Sequence, residues 1–300
     1  MSQTERLDPV LESYLAYLAE VSKKKSGTIK DVRCTLKRVS KAMAKHGRPL
    51  WKLDLADYVQ WLEQERQFAS STSCCKFVSH IRCFLDYAWR GGKCDRNVLD
   101  GFYLQDSTIR KVPAVLTLQE AARLIESAPN ESFVDKRNRL VLLLLYGCGL
   151  RTSELCNLNI QDIDSEHWNL FVRQGKGDVQ RVIPIPEGIH GDILVYLLAR
   201  RAQRGPLLRT EVKSKRIRAS DICKIMKEAV RRADIQWKVT AKTLRHTYAT
   251  HLMDQGVDIA VISSLMGHRG PAETGVYLHV LAHPPKDAVK KLERNGGKQK

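Results

Sequence analysis

Long apolar stretches are missing from this chain of 300 residues. The longest, from Leu140 to Leu145, is far shorter than the roughly 20 residues that a membrane-spanning helix needs. The first residues, Met1 to Arg6, also lack the apolar core of a signal peptide. We therefore expect a protein of the bacterial cytoplasm or nucleoid, with no membrane partner.

Metal-binding and disulfide patterns are missing as well. The eight cysteines include no C-x-x-C pair, and Cys74 and Cys75 are adjacent, which favours reduced structural thiols. The histidines form no H-E-x-x-H motif, and the pair His279 and His283 is followed at once by two prolines, which disfavours a helical metal site. We expect neither a metal nor a cofactor.

Acidic residues are scarce relative to basic ones. The chain has 33 Asp and Glu against 50 Lys and Arg, a formal net charge of +17. A surplus of this size favours a polyanionic partner, of which nucleic acid is the most abundant in a cell. A basic surface kept only for solubility is the alternative, and charge alone does not separate DNA binding from DNA chemistry.

The apolar spacing divides the chain into two predicted domains. It is helical from Ile29 to Met43 and from Ser71 to Trp89, with basic residues between the apolar ones of the first helix. The pattern lapses between Gln105 and Pro113. We expect a helical N-terminal domain, 1–110, and a larger domain, 111–300.

The second domain is predicted to be mainly α-helical with a small β-sheet. Thr117 and Glu120 have the spacing of a capping box, so a helix should begin there. The apolar run predicts a buried helix from Asp135 to Tyr146, ended by Gly147 and Gly149. Two strands are predicted at Leu170–Arg173 and Val179–Ile185, and later helices at Asp192–Arg204, Ser220–Asp234, Thr240–Asp254 and Asp258–Gly267.

Four segments of this domain carry candidate functional residues. They are Arg151 after the buried helix, Lys176 between two glycines at the hairpin tip with Arg181 on the returning strand, Arg245 in Leu244–His251, and His268 followed by Tyr277.

Each candidate also has a purely structural interpretation. Arg151 can form a local ion pair with Glu154, and Lys176 can be a solvated turn residue. His268 can cap a helix, and Tyr277 can simply pack in the core. Taken singly, the structural interpretations are favoured.

Taken together and in this order, the segments resemble the tyrosine recombinase (phage integrase) family. Residues Arg139–Asp164 are similar to the first conserved box of that family, and Thr240–His279 are similar to the second. The resemblance implies a helical, SAM-like core-binding domain followed by a catalytic domain, and an enzyme that cuts and rejoins DNA.

The resemblance also implies a role for each candidate. Arg151 and Arg245 would bind the scissile phosphate, because a guanidinium offers two donors to two oxygens and stabilises the charge of the transition state. His268 would donate to the same oxygens. Glu154 would support Arg151 from behind.

The remaining roles are those of nucleophile and general acid. Tyr277 would attack phosphorus to give a 3′-phosphotyrosyl bond, and Lys176 would protonate the leaving 5′-oxygen. One position departs from the family: Lys242 stands where a histidine is usual, three residues before Arg245. Lysine is a good donor, but its ordinary pKa of about 10.4 makes it a poor base.

The partners that the resemblance implies are double-stranded DNA with specific sites and three further copies of the chain, as a homotetramer on two synapsed sites. The segment after Tyr277 would dock on a neighbouring copy or remain a free basic terminus. Integration, excision, transposition, inversion and dimer resolution all remain open.

Two other functions remain as alternatives. A type IB topoisomerase shares the same catalytic logic but needs no second site. A non-catalytic regulator would use Thr240–Asp254 and Asp258–Met266 as a helix-turn-helix.

Overall fold

The computed structural model describes residues 8–105, 113–173, 180–210 and 215–267. The chain divides into two compact units, Met1–Arg110 and Lys111–Lys300. Within the described ranges, no helix is both long and apolar enough to cross a membrane.

Residues 8–105 of the first unit contain four α-helices around one apolar core. They are α1 (Pro9–Glu20), α2 (Ser26–Met43), α3 (Leu55–Arg66) and α4 (Ser71–Arg90). In α2, Leu36 and Val39 are fully buried whereas Lys37 and Arg38 are exposed, as the helical spacing of the sequence predicts. This unit therefore presents a basic helix face to solvent.

The described part of the second unit contains seven α-helices and one sheet. The helices are α5 (Leu118–Glu126), α6 (Phe133–Gly147), α7 (Thr152–Asn157), α8 (His190–Arg200), α9 (Ala219–Arg232), α10 (Ala241–Asp254) and α11 (Ile259–Met266). The apolar run of α6 is buried throughout, and α6 packs against α8 and α10. This helix forms the centre of the unit, which confirms the prediction of a buried helix here.

The sheet has the antiparallel order β1–β2–β3, with β1 at Ile163–Asp164, β2 at Asn169–Val172 and β3 at Arg181–Pro184. Leu170 pairs with Ile183, and both side chains face the core. The two predicted strands are confirmed. The tip of their hairpin, residues 174–179 with Lys176, lies outside the described residues.

Most predicted boundaries agree with the structure to within a few residues, and the capping box of α5 is formed by Thr117 and Glu120. Other details were wrong or missed. Strand β1 and helices α1, α3 and α7 were not individually predicted. Helix α8 ends at Arg200 rather than Arg204, because Arg201 has a left-handed backbone with φ of 52°. Helix α6 includes Gly147, and the chain turns at Gly149.

Candidate active site

Four of the predicted site residues lie in the described part of the chain: Arg151, Glu154, Lys242 and Arg245. The other three, Lys176, His268 and Tyr277, lie outside it. The structure brings Arg151, Glu154 and Arg245 together in the second unit, although the start of α7 supplies the first two and α10, about 90 residues later, supplies the third.

A tight turn at Gly149 places Arg151 at the start of α7. Gly149 has φ of 57°, and a Cβ atom there would lie 2.3 Å from a ring carbon of Tyr248 on α10. Only glycine combines that backbone conformation with so close an approach. The turn therefore packs directly against α10, the helix that carries Arg245.

The Glu154 carboxylate is the centre of the site. Its Oε2 accepts from the backbone N–H of Arg151 at 2.8 Å, and its Oε1 accepts from the Arg151 guanidinium at 2.8 Å. The predicted local ion pair is therefore present. Arg181 donates to both oxygens at 3.0 and 2.8 Å, and Arg245 Nη1 lies 3.9 Å from Oε2. Three guanidinium groups thus surround one carboxylate whose side chain is 0% exposed.

The charge state of Glu154 follows from these contacts. Burial by itself raises the pKa of this carboxyl, but hydrogen bonds and positive charge from Arg181, with hydrogen bonds from Arg151, outweigh it and lower the pKa to about 2. Glu154 is therefore ionised at neutral pH, and the cluster of three arginines and one carboxylate has a formal excess of two positive charges.

Backbone carbonyls fix the two predicted phosphate ligands. Arg245 donates to the carbonyl of Gly149 and to that of Met266, each at 2.5 Å, and Arg151 donates to the carbonyl of Gly267 at 3.1 Å. Met266 ends α11, whose last carbonyls have no partner within the helix. The arginines therefore satisfy the end of α11 and are themselves held in place by it.

Lys242 is exposed in the first turn of α10, whereas Arg245 is buried. His246, which follows Arg245 in the sequence, is half-buried. Burial, followed by the positive charges of Lys242 and Arg245, lowers the pKa of His246 to about 4. His246 is therefore neutral at pH 7, and the cations of this region are the arginines and Lys242.

The site has the composition of an anion-binding centre. Its guanidinium groups are preorganised and its one carboxylate is buried behind them. Across the described ranges, no group of three His, Cys, Asp or Glu side chains is arranged to hold a metal ion. The eight cysteines, which all fall in those ranges, are free thiols.

Sequence reasoning gave no role to Arg181, which the structure places in the centre of the cluster. It also missed the carbonyls of Gly149, Met266 and Gly267. The only available signal for Arg181 was its place on the strand that returns from the lysine hairpin, and contacts between residues 27 apart in sequence leave no local pattern.

Comparison with known proteins places both units in one family. Residues 114–283 match the phage integrase family, and residues 11–92 match the N-terminal SAM-like domain of phage integrases.

Individual relatives agree with this result. The tyrosine recombinase XerA of Pyrococcus furiosus is 42% identical over 61% of this chain, and the match spans 63% of that protein, which is less than two thirds of its length. A tyrosine recombinase of Thermosipho africanus is 31% identical over 95% of this chain and 100% of its own length.

Solved structures give the same fold. A crystal structure of XerA recombinase is 25% identical with a TM-score of 0.51, covering 97% of this chain and 99% of that one. A lambda integrase dimer bound to a COC′ core site is 17% identical with a TM-score of 0.71, covering 90% and 94%. The second of these, at its low identity, shows likeness of fold alone.

Proposed function

We propose that this chain, which belongs to the phage integrase family, is a site-specific DNA recombinase of the tyrosine type. It cleaves DNA with Tyr277 at a phosphate bound by Arg151 and Arg245. The observation that carries the assignment of the phosphate ligands is their fixation by contacts within the protein. Both guanidinium groups are tied to backbone carbonyls, and Arg151 is also tied to the buried Glu154.

This arrangement suits transfer of a phosphodiester to an alcohol. Attack on phosphorus forms a five-coordinate transition state whose non-bridging oxygens carry extra negative charge. Cations that are already in position stabilise this state more than the ground state, since they do not need to reorganise during the reaction. Glu154 is the residue that orients Arg151 rather than a group that contacts DNA, because its side chain is completely buried.

The remaining chemistry is assigned to residues outside the described ranges, on the support of their positions in the family's motifs. Tyr277 attacks phosphorus, forming a 3′-phosphotyrosyl bond and releasing a 5′-hydroxyl. Lys176 supplies the proton to the leaving 5′-oxygen, and His268 donates to the non-bridging oxygens. The bond energy is kept in the phosphotyrosine, so rejoining is the reverse of the same step.

Lys242 acts as a cationic donor to the same phosphate. Its exposure leaves it accessible to DNA, and its position one helical turn before Arg245 points to the same substrate. We do not assign it the role of base, because lysine is in general a poor base near neutral pH. Deprotonation of Tyr277 is instead favoured by the positive charge around it, which lowers the pKa of a phenol.

We also propose the biological setting. The first unit is the core-binding domain and the second the catalytic domain, the substrate is double-stranded DNA bearing specific sites, and a homotetramer joins two such sites. The reaction serves integration, excision or transposition, as in a mobile element, in the cytoplasm. The net charge of +17 supports DNA as the partner.

The test of the nucleophile is Tyr277→Phe. We expect the variant to bind DNA as the wild type does and to form no covalent adduct, because only the attacking oxygen is lost. Nicked duplexes that trap the cleaved state are resolved on a denaturing gel. A protein–DNA adduct formed by the phenylalanine variant would refute the assignment of Tyr277, and relaxation of a supercoiled plasmid that lacks any specific site would favour a topoisomerase.

A further inference from the structure

Arg181 is a buried arginine for which the proposed reaction has no assigned role. It is the first residue of β3, and its side chain is only 5% exposed. Arginine is rarely buried unless each part of its guanidinium has a partner. Because the Arg181 side chain lies in the interior rather than on the surface, its role depends on the groups that its guanidinium holds in place.

Its contacts join three segments of the second unit. Nη1 and Nη2 donate to the two oxygens of Glu154, on α7, at 3.0 and 2.8 Å. Nε donates to the carbonyl of Leu265, near the end of α11, at 2.7 Å. One planar group therefore fixes the Glu154 carboxylate, the end of α11 and the start of β3 relative to one another.

The fit around Arg181 is tight. Gly267, which follows α11, has φ of 60°, and a Cβ atom there would lie 2.9 Å from Nη1 of Arg181. The carbonyl of the same Gly267 accepts from Arg151. The Arg151 guanidinium therefore donates to two acceptors, the Glu154 carboxylate and the Gly267 carbonyl. Arg181 donates to the first acceptor and lies next to the residue that carries the second.

We propose that Arg181 is a positioning residue for strand cleavage, which holds Glu154 and the end of α11 in the arrangement that presents Arg151 to the scissile phosphate. The proposal rests on the proposed role of Arg151 as a phosphate ligand. The Arg181 guanidinium donates to Glu154 and Leu265, so we place its effect on the reaction in the positioning of Arg151.

A substrate with a neutral scissile phosphate separates this role from a general contribution to stability. In a methylphosphonate one non-bridging oxygen is replaced by a methyl group, so the reacting centre carries one negative charge less. Substituting a residue that serves the arginine–phosphate interaction should therefore slow cleavage of this substrate less than cleavage of the phosphate. A residue that only keeps the protein folded matters equally on both substrates.

The experiment measures single-turnover cleavage at saturating DNA on phosphate and methylphosphonate duplexes, with each stereoisomer measured separately. We expect Arg181→Met to slow cleavage of the phosphate by about 10- to 100-fold, the range found for residues that orient a site from its second layer. The loss on methylphosphonate should be at least several-fold smaller. Arg151→Met should show the same difference between the two substrates.

A conservative variant and a control keep the result interpretable if Arg181→Met folds poorly. Arg181→Lys keeps a positive charge next to Glu154 but cannot bridge both carboxylate oxygens and Leu265, so it should fold and still show the substrate-dependent loss. The control is Arg139→Met. Arg139 is also partly buried and pairs with Asp192 at 2.7 Å, between α6 and α8. The Arg139→Met variant should cleave both substrates at the wild-type rate.

The double variant Arg151→Met/Arg181→Met tests whether the two residues act in series. If Arg181 works through Arg151, the double variant should be no slower than Arg151→Met alone. Losses that multiply would overturn the proposal.

The substrate comparison separates failure of the inference from failure of the proposed function. Arg181→Lys could slow cleavage of both substrates equally, while Arg151→Met slows cleavage of the phosphate more than that of the methylphosphonate. This result would show that Arg181 serves stability only. If Arg151→Met itself shows no difference between the substrates, the role of Arg151 as phosphate ligand is wrong, and the inference falls with it.

Discussion

Glu154 offers a direct test of the electrostatics of the site through the substitution Glu154→Gln. Glutamine keeps the shape of the side chain and one acceptor oxygen, but it removes the negative charge that three guanidinium groups share. The variant is expected to be less stable than the wild type at pH 7, and the difference should depend on pH.

The size of that dependence follows from the pKa. The pKa of Glu154 is lowered from its ordinary value of 4.5 to about 2 in the folded protein. A lowered pKa contributes stability that is complete above pH 4.5 and is lost as the pH falls toward 2. A shift of this size corresponds to about 3 kcal/mol at pH 7, of which about 2 kcal/mol is lost by pH 3. Glutamine does not titrate in this range, so the difference in unfolding free energy between the wild type and Glu154→Gln should narrow by about 2 kcal/mol between pH 7 and pH 3.

The measurement is urea unfolding of the wild type and Glu154→Gln by circular dichroism at a series of pH values from 7 to 3. The matched control is Glu228→Gln. Hydrogen bonds from Arg231 and Arg232 also lower the pKa of Glu228, but that carboxylate is on the exposed face of α9. Water and salt screen exposed ion pairs, so a much smaller narrowing of the stability difference is expected there.

A stability difference that stays constant from pH 7 to pH 3 would contradict a lowered pKa of Glu154. It would mean that Glu154 does not titrate in this range as a carboxylate stabilised by arginines. Equal narrowing in Glu228→Gln would also refute the reasoning, since the effect would then not depend on burial.

Two further predictions concern residues that are proposed to act on the substrate. Lys176→Ala should slow cleavage of an ordinary phosphodiester by about 10²- to 10⁴-fold. The loss should be far smaller when sulfur replaces the 5′-bridging oxygen, because a thiolate leaves without a proton. Equal slowing on both substrates in single-turnover assays would show that Lys176 is not the general acid. Lys242→Met should slow cleavage by about 10²-fold, because a hydrogen-bond donor to the phosphate is lost. Lys242→His should retain more activity because imidazole also donates. A wild-type cleavage rate in the methionine variant across a pH series would exclude Lys242 from the site.

Local patterns were the part of the fold that the sequence could predict. The capping box of Thr117 and Glu120 was predicted because its two partners are three residues apart and form the same contacts in any helix. The buried α6 was predicted because its apolar run exceeds what a solvent-exposed helix tolerates. Strand β1 was missed since two residues are too short to show an alternation.

The candidate site was predicted only in its residue types. Arg151 and Glu154 are three apart, so their ion pair could be anticipated from spacing. The contact of Arg181 with Glu154 and that of Arg245 with Gly149 join residues far apart in the sequence. Such contacts arise from the packing of α10 on α6 and of α11 on β3, and no periodicity records them.

In the proposed function the cluster binds the scissile phosphate, and its charge balance explains why a carboxylate belongs there. Without Glu154, three guanidinium groups would be buried close together with no opposite charge, which would cost several kcal/mol in folding. With one carboxylate the repulsion is relieved, yet an excess of two positive charges remains for the phosphate. Two carboxylates would leave an excess of only one and weaken phosphate binding. Since the arginines are ordered by carbonyls and Glu154 within one unit, the entropy of fixing them is lost during folding rather than when DNA binds.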